Sequence, residues 1–140
     1  MPKVNQKKFK IKKILKKELS LTSKYKTTYK DINKFFKIIN KAIFDEKLSP
    51  FNQIEIKDIR DGRPGRYCFG QVSILEWKRK GTRIYRLEMQ PEYATKRDFV
   101  DTLGHEMVHL YQMANLGDTG NHNKLFYSFG PKLNEIGLNL

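Results

Sequence analysis

Apolar side chains recur along this chain with two different periods, and the switches between them mark out the elements. Behind Thr28 and Asp31, which stand in capping-box spacing, Ile32, Phe35, Phe36, Ile39, Ala42 and Ile43 follow at helical intervals. That pattern predicts an amphipathic helix over 29–46, closed by Leu48, Ser49 and Pro50. Ile54 and Ile56 alternate with polar neighbours in a strand expected over 52–59, and Asp61, Gly62, Arg63, Pro64 and Gly65 read as a turn. Two further strands, over 66–76 and 83–90, are joined around Gly81, with Tyr85, Leu87 and Met89 on one face of the second. Thr95 and Asp98 repeat the capping spacing and open a helix expected over 96–115, followed by a loop from Gly117 to Gly120. The last helical stretch, 123–136, contains Pro131, which lacks an amide donor and should kink or restart it there. The expected class is α+β: a small, largely antiparallel sheet of about three strands packed with helices.

A chain of 140 residues closes one hydrophobic core, and 39% hydrophobic residues suffice for it. No uninterrupted apolar run exceeds three residues, so neither a membrane-spanning helix nor a secretory signal is encoded. Cys68 is the single cysteine, which excludes an internal disulfide and a zinc site built of cysteines and reads as a small buried residue on a strand. A reducing compartment fits: the cytoplasm, or the host's cytoplasm or nucleoid for a viral protein, with the chain as a monomer.

The charge is unevenly placed. Of the net +13, residues 1–30 carry +10, eleven lysines against Glu18 alone. We read 1–30 as a lysine-rich N-terminal arm, flexible or solvated, and 31–140 as the domain. Lys7, Lys8, Lys10, Lys12, Lys13, Lys16 and Lys17 would be drawn to a polyanion by counterion release, which makes DNA the leading partner. Ile11, Ile14, Leu15 and Leu19 form an apolar stripe too narrow to favour a membrane surface. At the tip between the second and third strands, Trp77 stands beside Lys78, Arg79, Lys80 and Arg83, the combination of stacking and phosphate contacts that holds single strands. The alternative for both segments is a solvated surface, with Trp77 in the core.

His105, Glu106, Met107, Val108 and His109 have the form H-E-x-x-H on the predicted helix. Positions i and i+4 share a face, so both imidazoles can reach one zinc ion while Glu106 leans toward its open side. Zinc there would activate water, and Glu106 would accept the proton as the water attacks a carbonyl. Val100, Leu103, Met107, Leu110, Tyr111 and Ala114 make the helix largely apolar, where two histidines and a glutamate are costly without a partner such as a metal. Gly104 is unexpected inside a helix and implies either close packing or tolerance.

Catalytic zinc usually takes a third protein ligand. The metzincin extension is excluded, because Gln112 and Asn115 occupy its glycine and histidine positions. His122, the remaining histidine, is the leading candidate; Glu135 and Asp118 are the oxygen alternatives.

Lys96 to Gln112, KRDFVDTLGHEMVHLYQ, followed by His122 and Phe126 as H-x-x-x-F, resembles the SprT-like (Spartan-type) metalloproteases. Phe35 to Leu48 is similar to that family's opening helix and Arg86 to Met89 to its strand before the zinc helix, so the likeness spans about 31–140. The resemblance implies a zincin-like fold, zinc held by His105, His109 and His122, and Glu106 as catalytic base. It also implies a protein substrate, in eukaryotic members one crosslinked to DNA. The chain departs from the family where His122, Asn123, Lys124 replaces the common H-G-P, where Gly130 and Pro131 interrupt the last helix, and in having no cysteine zinc module. In zincins an edge strand pairs with extended substrate, and 83–90 is the expected strand. A DNA-binding module with a structural zinc site and no proteolysis is the competing reading; a base beside the metal argues for the enzyme.

Overall fold

The computed structural model describes residues 3–59, 69–77 and 82–140, with no side-chain description for 3–7, 76, 77 and 82. The turn at 61–65, Cys68, Lys78, Arg79, Lys80 and Gly81 lie outside the described residues, as do the side chains of Lys7 and Trp77.

Helix α1 spans Lys3–Glu18, strand β1 Tyr25–Lys26 and helix α2 Tyr29–Ile43; strands β2 (Gln53–Ile56), β3 (Gly70–Trp77), β4 (Thr82–Met89) and β5 (Glu92–Tyr93) follow. Helix α3 covers Lys96–Ala114, α4 Lys124–Tyr127 and α5 Gly130–Glu135. The class is α+β, and no helix among the described residues is long and apolar enough to cross a membrane.

Both capping predictions hold. The Thr28 hydroxyl accepts from the Asp31 amide at 3.1 Å and Thr95 from Asp98 at 3.2 Å, each satisfying a donor that a helix start leaves free. Helix α2 buries all six residues of its predicted stripe, chiefly against α3, whose Phe99, Val100, Leu103, Met107 and Val108 are fully buried. Behind α2, the Asn40 side chain donates to Leu48 O and accepts from Leu48 N, at 3.0 and 3.1 Å, so the chain reverses there without orphaned backbone groups.

Strand β4, not an edge, is the centre of the main sheet, whose order is β2-β4-β3. It pairs antiparallel with β3, Gly70 opposite Met89 and Trp77 opposite Thr82, and parallel with β2, Gln53 opposite Arg86 and Ile56 opposite Met89. The sheet is therefore mixed rather than largely antiparallel. Alternation within a strand fixes which face is buried, as it does for Leu87 and Met89, but carries no information about the direction of a neighbour reached through a long connection. A second sheet, β1 with β5, is two residues long.

The lysine-rich segment read as an arm is a docked helix over its described part. Leu15 and Leu19, at the end of α1 and just past it, enter the common core, while Ile14 stays exposed. Lys34 and Lys96 reach the Glu18 carboxylate at 2.8 and 2.9 Å and hold it below the usual carboxylate range, and Lys8 pairs with Glu135 at 2.8 Å. Pairs that remain partly open to solvent contribute little, so burial of Leu15 and Leu19 is the main term; Leu15→Ala would cost about 2–5 kcal/mol.

At the C-terminal end, the helical stretch breaks at residues 128–129 and restarts with Pro131 in the first turn of α5, where its missing amide costs nothing. Leu133 of α5 then packs beside Gly104, explaining why α3 carries no side chain there only in part: a methyl group at Gly104 would meet Leu133 at 3.6 Å and Ile39 at 3.9 Å, both ordinary contacts.

Candidate metal centre

Two imidazoles come from one face of α3, and the third from the loop that returns over it. The His105, His109 and His122 Nε2 atoms lie 3.2, 3.1 and 3.2 Å from one another. At the 2.0–2.1 Å expected of a zinc–imidazole bond, such spacing corresponds to ligand angles of about 100°, close to tetrahedral with one position left open. Among the described residues this is the one group of three or more candidate ligands brought together. Asp118 and Glu135 are not part of it: Asp118 organises the loop, and Glu135 lies exposed on α5 against Lys8.

The loop is built for this placement. Gly117 and Gly120 turn it with φ of 63° and 80°, and a Cβ at Gly120 would approach Met113 to 2.8 Å. Asp118 Oδ2 accepts from Gly120 N, from Asn123 Nδ2 at 3.0 Å and from Gln112 Nε2 at 2.9 Å. Asn123 Oδ1 caps α4 by accepting from Phe126 N at 3.0 Å. The Phe126 ring, the F of H-x-x-x-F, then backs all three imidazoles at centroid distances of 4.6–4.9 Å.

Gln112 is fully buried, and reading it only as the wrong residue for a metzincin misses its role. Its Nε2 is surrounded by acceptors, Asp118 Oδ2, Asn121 O and Asn123 Oδ1, which orients the amide and turns Oε1 toward His109 Nδ1 at 3.1 Å. An amide oxygen can only accept, so Nδ1 carries the proton and His109 Nε2 presents a bare lone pair to the other two rings. Three ring nitrogens at this separation cannot all satisfy one another, whereas one cation between them completes all three. The donor set thus fits a divalent metal, and neutral imidazoles with a fixed tautomer fit zinc. The sequence signal was available: a glutamine three residues after the second histidine, on an otherwise apolar helix.

Burial lowers the His105 pKa to about 4, with the charges of His109 and His122 adding to it, and lowers that of His109 as well. Glu106 is 4% exposed, and burial alone raises its pKa to about 8. Two cavities meet at it. One, of about 310 Å³, is bordered by Phe69, Gly70, Asp101, Thr102 and His105; the other, of about 280 Å³, by Gln71, Val72, His109, Gly120 and His122.

The strand that roofs both is β3. The expectation that 83–90 is an edge strand is corrected: among the described residues β4 has partners on both sides, while β3 lies on the outside of the sheet order next to α3. A Cβ at Gly70 would lie 2.9 Å from the Thr102 methyl and 3.3 Å from Glu88 O, so glycine is what lets β3 approach the helix at the site.

Of the expected nucleic-acid contacts, Lys10, Lys12, Lys13, Lys16 and Lys17 are placed on α1, Arg83 is exposed at the start of β4, and Lys8 is engaged by Glu135. Comparison with family models, with curated proteins and with solved structures finds no match to this chain.

Proposed function

We propose that the chain is a zinc-dependent peptidase whose substrates are proteins held on nucleic acid. The observation that carries the reading is the buried Glu106 beside three converging imidazole nitrogens, at the meeting point of two open cavities under a strand edge. A structural zinc site closes its coordination with four protein ligands and needs no carboxylate beside it; here three candidate ligands converge among the described residues. Zinc held by His105, His109 and His122 supplies Lewis acidity toward water and a peptide carbonyl.

The chain's own residues do the rest. An extended substrate segment adds to the outer edge of β3 through backbone hydrogen bonds, which places its peptide bonds over α3 without demanding a particular sequence. Glu106 takes the proton of the attacking water on its carboxylate and delivers it to the departing amine nitrogen, restoring itself within one turnover. Buried as it is, Glu106 makes no hydrogen bond among the described residues, and the positive charge of a bound metal would favour its ionised form, the form a base needs. Gln112 holds His109 in the ligating tautomer.

The nucleic-acid part of the reading rests on the lysines of α1, a helical cationic face rather than a tail. The deciding experiment is cleavage of a nucleic-acid-bound protein by zinc-loaded chain, with and without nucleic acid, against Glu106→Gln. We expect a loss of at least about 100-fold in the variant with zinc still bound. Equal activity in the two proteins removes Glu106 as the base and this reading with it.

A further inference from the structure

The cavity on the N-terminal side of His105 has a chemical character of its own. Asp101, Thr102, His105 and Glu106 line one side of it, Phe69 and Gly70 the strand side, and Asn139 and Leu140 the end. Asp101 is partly buried there. Its Oδ1 accepts the Asn139 backbone N–H at 3.0 Å, and no cation among the described residues forms an ion pair with it. Arg97, one turn earlier, is directed elsewhere, donating to Gly137 O at 2.7 Å.

We propose that this cavity is a substrate subsite for a basic side chain, lysine or arginine, and that Asp101 selects it. The inference rests on the peptidase reading of the same site and names which residues flank the bond it cuts.

Position supports it first. Asp101 and His105 are four residues apart on α3, so the carboxylate lies one turn, about 6 Å along the helix, from the nearest metal-ligating ring. That is about the reach of an extended lysine side chain, so a residue adjoining the scissile bond can place its cation there while the backbone stays on β3. Lining supports it next. Phe69 is 57% exposed at the strand side, and with Leu140 and Thr102 it gives the cavity apolar lining suited to an aliphatic stem. The Phe69 backbone is itself fixed, because its carbonyl accepts the Tyr93 hydroxyl.

Energetics point the same way. Burial raises the Asp101 pKa despite the Asn139 hydrogen bond and the charge of Arg97, so the described residues compensate the ionised acid incompletely. A desolvated carboxylate gains most from a partner that brings a full positive charge and its own hydrogen-bond donors. A neutral or acidic side chain in the cavity leaves it as it was or worse. Proteins that bind nucleic acid are rich in the two residues this subsite fits.

The test uses zinc-loaded chain and a series of otherwise neutral peptides in which a single lysine, or norleucine of the same stem, is moved through successive positions. One position should favour lysine by at least about tenfold in kcat/KM, as one charge-assisted pair would give. Asp101→Asn keeps an oxygen for the Asn139 amide but removes the charge, and should bring the two peptides to near-equal rates; Asp101→Arg should favour glutamate at the same position. A role in anchoring the C-terminal segment alone would not reverse the charge preference. If wild type cuts lysine and norleucine peptides equally, the subsite is overturned and the peptidase reading stands. If no free peptide is cut, the nucleic-acid-bound protein substrate decides the peptidase reading, and binding of both peptides to metal-free Glu106→Gln decides the subsite by itself. Tighter binding of the lysine peptide, abolished by adding Asp101→Asn, upholds it; equal binding overturns it.

Discussion

His109 Nδ1 lies 3.1 Å from Gln112 Oε1, and this contact decides which nitrogen of His109 presents a lone pair to His105 and His122. The glutamine is held in turn by three acceptors of the loop that carries His122, so one buried amide ties the tautomer of His109 to the placement of His122. Gln112→Met, similar in size and without the amide, should lower zinc affinity by about 10–100-fold. Competition against a chromophoric chelator measures it, with nitrogen-15 shifts of His109 in the metal-free protein reporting the tautomer. Wild-type affinity together with an unchanged tautomer would show that something else orients the ring.

Acid should remove a stabilising contribution of His105 from the metal-free protein. Burial depresses the His105 pKa from 6.5 to about 4, so between those values the unfolded chain binds more protons than the folded one. The contribution is present above about pH 6.5 and is lost as pH falls toward 4. Glu106, its pKa raised by burial from 4.5 to about 8, works in the opposite direction where the windows overlap, so the His105 contribution is read as a difference between two proteins. Lowering the pH from 6.5 to about 4 should shift the denaturation midpoint of metal-free wild type further downward than that of His105→Gln, and an equal response in the two would show that His105 contributes nothing.

Two glycines near the site should respond in opposite ways. Gly104 sits inside α3 with ordinary room for a methyl group, so Gly104→Ala should raise stability by about 0.5–1 kcal/mol through helix propensity. Gly120 has φ of 80° and no room beside Met113, so Gly120→Ala should cost about 1–2 kcal/mol and weaken zinc binding by displacing His122. Thermal melts and zinc titration check both; destabilisation by Gly104→Ala would mean that α2 and α5 cannot yield even slightly.

Because α1 is docked through Leu15 and the adjoining Leu19, deleting it would open the core and confuse folding with binding. Replacing Lys10, Lys13, Lys16 and Lys17 by glutamine leaves the buried face intact. Affinity for a single-stranded oligonucleotide should fall, and the slope of log affinity against log salt should shrink by about 0.7 for every phosphate that is no longer neutralised. An unchanged slope would remove α1 from the nucleic-acid surface.

The sequence by itself determined the local elements and the two histidines that share one of them. Thr28 and Thr95 cap their helices with groups three residues away, and His105 and His109 converge because four residues make about one turn. These follow from short-range geometry that any isolated helix obeys. Pro131 likewise announced its break. What the tertiary structure decided depends on chain segments meeting across long separations. Leu15 and Leu19 turn a lysine-rich segment into a docked helix only because α2 and α3 present a surface for them. The central place of β4, and with it the assignment of the roofing strand to β3, is set by a parallel pairing with β2 that no local pattern encodes. His122 was nameable because it was the last histidine left, but its arrival at 3.1 Å from His109 is the work of two left-handed glycines and the Gln112, Asp118 and Asn123 network. A buried hydrogen bond gains its strength from exclusion of water, and exclusion of water is a property of the assembled core, not of a stretch of chain.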